Sequence, residues 1–131
     1  MILDSSALVA LLRAEPEAQV CANAIVEASS CSISAVSYVE AAVVIDSARD
    51  PIASRRFDDF FRTSGVRIEA VTPSQAELAR QAYRDFGKGH HKAKLNFGDC
   101  FAYALAKERS QPLLFKGDDF RHTDVEPAIE T

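Results

Sequence analysis

The chain has 131 residues, 47% of them hydrophobic, which is enough for one compact domain with its own core, so we predict a single domain over residues 1–131. No apolar run approaches the roughly 20 residues that cross a bilayer, and the N-terminus lacks the basic region of a signal peptide, so we expect a cytoplasmic protein without membrane association. Three scattered cysteines argue against a disulfide framework or a zinc site. The net charge of −4 disfavours nucleic acid as a partner but does not describe local patches.

Short apolar segments alternate with amphipathic helical segments along almost the whole chain. Predicted strands cover residues 1–3, 31–34, 66–70 and 113–115, with a short last strand over 124–129. Predicted helices cover about 5–13, 16–28, 35–47, 51–65, 72–86 and 97–109. Thr72 to Gln75 resembles a capping box, and the alternation in 66–70 indicates a strand at the sheet edge. This order predicts an α/β fold in which helices cover both faces of a parallel sheet.

Acidic residues recur where such a fold brings side chains together. Asp4 follows the first strand, Asp118 and Asp119 follow the strand near residue 114, and Asp99 opens a helix. Ligands bind at the carboxyl ends of the strands of open α/β sheets. Crowded carboxylates repel one another and are tolerated mainly where a cation neutralises them. Oxygen donors without His or Cys suit Mg²⁺ or Mn²⁺, so the pattern indicates a divalent-metal site for phosphate chemistry.

Most of these acids also fit a purely structural role. Asp4 could cap a helix, Asp99 could stabilise a helix N-terminus, and Asp118 with Asp119 could belong to a Gly-Asp turn. Glu40 is harder to explain in this way, because apolar residues surround it on nearly every side of its helix and no basic residue lies near it in sequence. A helix that is apolar all round is expected to be buried, where an unpaired charge is costly.

Two further features bear on such a site. Ser5 or Ser6 is expected to orient a carboxylate rather than to act as a nucleophile, because no positioned base is evident. A cluster of basic residues leads directly to Asp99, and it comprises Arg80, Arg84, Lys88, His90, His91, Lys92 and Lys94. A basic rim beside an acidic pocket suits a phosphate backbone, although a solvated helix end followed by a loop explains the segment equally well.

The acidic motifs resemble those of PIN-domain proteins, in particular the VapC toxins of bacterial toxin–antitoxin pairs. The segment Ile2–Ala7 is similar to the opening of these proteins, and Tyr38–Glu40 to their second acidic motif. Asn96–Ala104 resembles their third motif. Leu113–Phe120, together with His122–Asp124, resembles the closing motif of one VapC subgroup. The motifs occur in family order and span essentially the whole chain.

The resemblance implies a PIN-like fold with a parallel sheet of about five strands. It implies an endoribonuclease that depends on Mg²⁺ or Mn²⁺, forms a homodimer and is inhibited by a cognate VapB-type antitoxin. It implies Asp4, Asp99 and Asp118 as metal ligands, and Glu40, Asp118 and Asp119 in catalysis. In this family four acids form the metal-binding site, which here implies Asp4, Glu40, Asp99 and one further aspartate. That fourth acid is left open between Asp118 and Asp119.

Two rival functions remain at this stage. In a phosphoryl-transfer domain Asp4 would be the phosphorylated nucleophile, but Ser5 and Ser6 supply no second acid, and Lys116 alone keeps this hypothesis open. The other rival is a non-catalytic module that binds RNA or protein and retains acidic helix caps. The helices near residues 20 and 57 carry more apolar groups than one amphipathic face needs. A groove between them could accept an apolar segment of the antitoxin, although packing in the core explains most of these residues as well: Val20, Ile25, Val26, Phe57, Phe60 and Phe61.

Overall fold

The computed structural model describes residues 1–129, so the last two residues of the predicted domain lie outside the described part. Its elements are β1 (Ile2–Leu3), α1 (Ser5–Leu12), α2 (Ala18–Glu27), β2 (Ser32–Ser34), α3 (Ala35–Asp46), α4 (Pro51–Thr63), β3 (Arg67–Glu69), α5 (Pro73–Phe86), α6 (Phe97–Arg109), β4 (Leu113–Leu114) and a 3₁₀ turn over Asp119–His122. Every predicted helix is present with ends shifted by at most about two residues. The 3₁₀ turn was not predicted.

The sheet is parallel, with strand order β3-β2-β1-β4, so β3 lies at an edge as its alternating sequence predicted. It has four strands where about five were expected. The predicted last strand is reduced to one bridge between Leu113 and Pro127, where Ala128 N–H donates to the Leu113 carbonyl at 2.8 Å. The second bond of the bridge runs from Leu113 N–H to the Glu126 carbonyl at 2.8 Å, so the nitrogen of Pro127 takes no part in the pairing.

Helices pack against both faces of the sheet because successive strand side chains point to opposite sides. Ile2 and Leu113 belong to a core cluster with α5 and α6. Leu3 and Leu114 belong to a second cluster with α1 to α4. The two-residue strands β1 and β4 thus contribute one fully buried side chain to each cluster.

Two local expectations were wrong. Helix α3 is not buried all round, because Val39 and Val43 on it are exposed. The capping box predicted at Thr72 is only half formed: its hydroxyl accepts from Gln75 N–H, but the Gln75 amide donates to Glu108 on α6 instead of returning to residue 72. Tertiary packing between α5 and α6 therefore takes the side chain that would have completed the cap.

The fold brings helix starts to the carboxyl edge of the sheet. Chain segments leave β1 and β4 side by side there, and Asp4 N–H donates to the Leu114 carbonyl at 2.9 Å. Asp4 caps α1, and Ser34, the last residue of β2, caps α3. Within residues 1–129, no helix has the length and apolar character needed to cross a membrane.

Candidate active site

Asp4 is a helix cap and a buried acid at the same time. Its Oδ2 accepts from Ser6 N–H at 3.0 Å and from Ser6 Oγ at 2.5 Å, which fixes the carboxylate in place. Its Oδ1 is buried without a hydrogen-bond partner. Burial raises the pKa of Asp4, against the lowering effect of the Ser6 hydrogen bonds. A cap alone needs one oxygen, so the structural role leaves the second oxygen unexplained.

Glu40 lies on α3 and turns its half-buried carboxylate toward the other acids. Burial, and then the negative charges of Asp4 and Asp99, raise its pKa to about 7. Ser5 Oγ donates to Glu40 Oε1 at 3.4 Å, a long contact. One serine of the opening motif was expected to orient a carboxylate. Both contact one in the structure, and Ser6 makes much the shorter bond.

Asp99 is held by a complete capping box at the start of α6, which the sequence analysis did not identify. Asn96 Oδ1 accepts from Asp99 N–H at 2.9 Å, and Asp99 Oδ2 accepts from Asn96 N–H at 3.0 Å. Burial raises the pKa of Asp99 to about 6, and the charges of Asp4 and Asp119 act in the same direction. The box fixes the position of the carboxylate and leaves Oδ1 free for another ligand.

The adjacent aspartates after β4 are both exposed but act on different charged groups. The charge of Asp119, the first residue of the 3₁₀ turn, acts on both Asp4 and Asp99. The Asp118 side chain is 88% exposed and lies 4.0 Å from Arg121 Nε. The negative charges of Asp4, Glu40, Asp99 and Asp119 thus act on one another, whereas that of Asp118 does not figure among the causes that raise the pKa values of Asp4, Glu40 and Asp99.

Gly98 is a further site residue that the sequence analysis did not single out. A Cβ placed on it would overlap the carboxylate of Glu40. The signal in the sequence was a glycine inside the first turn of a helix, next to a site acid, where glycine is otherwise unfavourable.

Lys116 does not supply the cation that a phosphoryl-transfer site would need. Its ammonium lies 2.7 Å from Glu15 and 3.7 Å from Glu17. Its backbone N–H instead donates to Ser6 Oγ at 3.0 Å. The residue that kept the aspartyl-phosphate hypothesis open is therefore engaged elsewhere.

The acids fit a divalent cation in an open site. Within the described chain, no three His, Cys, Asp or Glu side chains converge closely enough to enclose an ion. Mg²⁺ does not need such a cage, because it keeps several waters and takes only one or two carboxylates directly. The donors are carboxylate oxygens, and the buried, unpartnered Asp4 Oδ1 is satisfied by a cation more readily than by any neighbouring protein group.

The basic cluster forms an exposed surface on α5 and the loop that follows it. All of its lysines and arginines are exposed. Within residues 1–129 they form no ion pair; they are Arg80, Arg84, Lys88, Lys92 and Lys94. His90 lies inside the cluster, with Nε2 2.8 Å from the Tyr83 carbonyl and 3.1 Å from that of Arg84. His90 therefore caps the carboxyl end of α5, whereas the lysines and arginines of the cluster face solvent.

Comparison with known proteins identifies the family. A PIN domain model matches residues 1–126. The chain is 50% identical to Ribonuclease VapC28 of Mycobacterium tuberculosis over 131 residues, 99% of this chain and 98% of the relative. It is 48% identical to Ribonuclease VapC of Mycolicibacterium smegmatis over 125 residues, 95% of this chain and 97% of the relative.

Solved structures with the same fold include two toxins. Mycobacterium tuberculosis VapC20, a toxin that cleaves the sarcin–ricin loop, superposes with a TM-score of 0.73 at 18% identity and covers 96% of this chain and 98% of its own. A toxin–antitoxin complex from Klebsiella pneumoniae gives a TM-score of 0.72 at 18% identity over 99% of this chain and 98% of its own. The chain belongs to the PIN-domain family and, within it, to the VapC endoribonucleases, the toxins of VapBC toxin–antitoxin pairs.

Proposed function

We propose that this chain cleaves RNA with a divalent metal, Mg²⁺ or Mn²⁺, held by Asp4, Glu40, Asp99 and Asp119. The observation that supports this most directly is the buried Oδ1 of Asp4, which has no hydrogen-bond partner in the described chain and belongs to an acid whose charge interacts with those of Glu40, Asp99 and Asp119. A polar atom in this position costs free energy unless a ligand engages it. Asp118, the alternative fourth acid, is left out of the proposed site because its carboxylate is solvated beside Arg121.

Each side chain has a separate task in this proposal. Ser6 holds the Asp4 carboxylate, and the Asn96 capping box holds that of Asp99. The bound metal would polarise the scissile phosphate and lower the pKa of a water. Glu40, half-buried on α3 and within the field of the Asp4 and Asp99 charges, would help to hold the metal or orient the attacking water.

The RNA backbone is proposed to approach along the basic cluster of α5 and its following loop. These cations are exposed and without acidic partners in the described chain, and the loop leads into Asn96 and Asp99. Neutralising phosphates in this way supplies affinity without sequence preference. This local attraction offsets the repulsion between RNA and the net charge of −4, because the net charge describes the chain as a whole and not the basic cluster.

We also propose that the chain acts in the cytoplasm as one domain and as a homodimer. Support for a second copy comes from an apolar surface beside the site, where Val39 is 55%, Val43 61% and Phe97 74% exposed. Apolar groups grouped in this way are typical of protein interfaces.

The antitoxin is proposed to lie along α2 and α4, with a basic side chain reaching the acids. Val20, Val26 and Ile52 are exposed on these helices. Of the apolar groups considered for this groove, Phe57 takes the alternative role in the core: it is buried and packs with Tyr38 in an aromatic cluster. The docking surface is therefore more aliphatic than the sequence suggested. An Arg from the partner would pair with the carboxylates in two-point geometry.

An RNA-cleavage assay with and without EDTA tests the proposed activity. Asp4→Asn and Asp99→Asn keep the shape of each side chain and remove its charge, so cleavage is expected to fall by orders of magnitude with the fold intact. Glu77→Gln, a change in an exposed acid of α5, is the charge-matched control and should cleave normally. Full cleavage in EDTA would falsify the metal mechanism. Specific RNA binding without cleavage under any metal would favour the non-catalytic module.

A further inference from the structure

Gly98 occupies a helical position that does not require glycine for its backbone. It is the second residue of α6, after the cap Asn96 and the exposed Phe97. The glycines with positive φ are Gly65, Gly89 and Gly117, and Gly98 is not among them. Alanine is more favourable than glycine in a helix, so something other than conformation explains the residue at this position.

The surroundings of the missing side chain supply that explanation. A Cβ on Gly98 would overlap Cδ and both oxygens of the Glu40 carboxylate, closer than real Cβ atoms approach any neighbour. By contrast, a Cβ on Gly65, Gly89 or Gly117 would meet nothing within 4 Å. The Glu40 carboxylate thus occupies the volume that any other residue at position 98 would fill.

We propose that Gly98 is a positioning residue whose missing side chain forms a seat that holds the Glu40 carboxylate against α6, beside Asp4 and Asp99. The metal-binding consequence rests on the proposed function, whereas the steric coupling between positions 40 and 98 does not. With alanine at 98, the carboxylate has to leave the seat. Since Ser5 reaches it only through a 3.4 Å contact, the protein has little else to retain it.

A displaced Glu40 has somewhere to go without disturbing the core. Its side chain also lines an open surface groove formed with Val36, Val39, Val43 and Phe97. In the single chain this groove is open, so Gly98→Ala is expected to fold and to gain helix propensity while moving one carboxylate away from the other acids and toward the surface proposed for a second copy.

The first test measures thermal melts at pH 8 in EDTA, where metal plays no part. Glu40→Gln removes a charge that repels Asp4 and Asp99, so it should raise the melting temperature of the wild type by several degrees. In the Gly98→Ala background the carboxylate has already left, so Glu40→Gln should have little effect. Equal stabilisation in both backgrounds would show that the two positions are not coupled and would overturn the proposal.

The second test adds millimolar Mn²⁺ to the same proteins. The wild type is expected to melt at higher temperature with Mn²⁺, and Gly98→Ala should lose most of this increase. Glu77→Ala is the control: it raises helix propensity and removes one exposed carboxylate on α5, and it should keep the full increase. If Gly98→Ala keeps the increase too, the seat does not position a metal-binding group and the inference fails. If the wild type shows no increase, the metal site fails, while the metal-free cycle still decides the steric coupling.

A third variant covers the case in which Gly98→Ala does not fold. Gly98→Ala/Glu40→Ala empties the seat, so it should restore the folded yield. A double variant that stays unfolded would locate the defect elsewhere in the first turn of α6 and overturn the proposal.

Discussion

The hydroxyl of Ser6 lies between Asp4 and the segment that follows β4. It donates to Asp4 Oδ2 at 2.5 Å and accepts from the Lys116 backbone N–H at 3.0 Å. One side chain therefore couples the buried acid at the end of β1 to the segment that carries Asp119. Such outer contacts fix the orientation of metal-binding groups and commonly matter almost as much as the groups themselves.

Removing this hydroxyl should weaken the site more than removing its neighbour. Ser6→Ala leaves Asp4 with one hydrogen bond fewer and the Lys116 N–H without its acceptor, so Mn²⁺ affinity is expected to fall about 10- to 100-fold. Ser5→Ala is the matched control, because Ser5 makes only a 3.4 Å contact to Glu40. Titration of Mn²⁺ by calorimetry or thermal shift separates the two. Equal losses in both variants would contradict the assigned role of Ser6.

The two adjacent aspartates after β4 should respond differently to the same change. Asp119→Asn removes a charge that acts on Asp4 and Asp99. The rate of RNA cleavage is therefore expected to fall by at least about tenfold, which corresponds to about 1.4 kcal/mol in the activation free energy. Asp118→Asn alters an exposed carboxylate 4.0 Å from Arg121 and should leave cleavage within about twofold, the effect of an exposed ion pair. Single-turnover cleavage rates at saturating Mn²⁺ measure both. The reverse order would assign the fourth acid to Asp118.

The fold was largely predictable because local patterns and tertiary packing agree. The start of α4, for example, follows from Asp50 as cap and Pro51 in the first turn, and Asp50 Oδ1 does accept from Ile52 N–H at 3.0 Å. The extent of the last strand was not predictable from its apolar residues, because within residues 1–129 only one bridge, between Leu113 and Pro127, forms there. The hydrogen bond from the Gln75 amide to Glu108 was not predictable either, because it joins residues 33 positions apart.

The candidate site was only partly predictable from sequence. Motif order identified the acids, but nothing in two adjacent aspartates shows which one carries the charge that acts on Asp4 and Asp99. Glu40 was singled out because its helix is apolar and was expected to be buried all round. The helix is apolar, but Val39 and Val43 face solvent. The contact between Glu40 and Gly98 joins residues far apart in sequence, and no local sequence pattern predicts it.

Without metal, the protein should lose stability as the pH rises toward neutrality. The pKa values of Glu40, about 7, and Asp99, about 6, lie above their ordinary values of 4.5 and 3.8. A raised folded-state pKa means that these groups favour the folded state while protonated, and that this contribution disappears as pH rises from about 4 through 6 and 7. Melts in EDTA from pH 5 to pH 8 should show falling stability, with a smaller fall in Glu40→Gln. Identical pH profiles for the two proteins would contradict the repulsion among the acids.

The basic cluster should determine how strongly RNA binding depends on salt. Arg84→Gln or Lys92→Gln removes one cation from the proposed RNA path. The slope of log affinity against log salt should therefore become shallower by about 0.7 for each lost phosphate contact with single-stranded RNA. Arg55→Gln is the control, because this exposed residue lies on α4, which packs in the core cluster on the other face of the sheet.

The measurement uses a single-stranded RNA in EDTA, so that the RNA stays intact while affinity is determined across a range of salt concentrations. Because each substitution removes one positive charge, all three variants change the net charge equally, and only a difference in slope reports local contact. Equal slopes for Arg84→Gln, Lys92→Gln and Arg55→Gln would mean that the cations following α5 are merely solvated, and that RNA approaches the acids from another side.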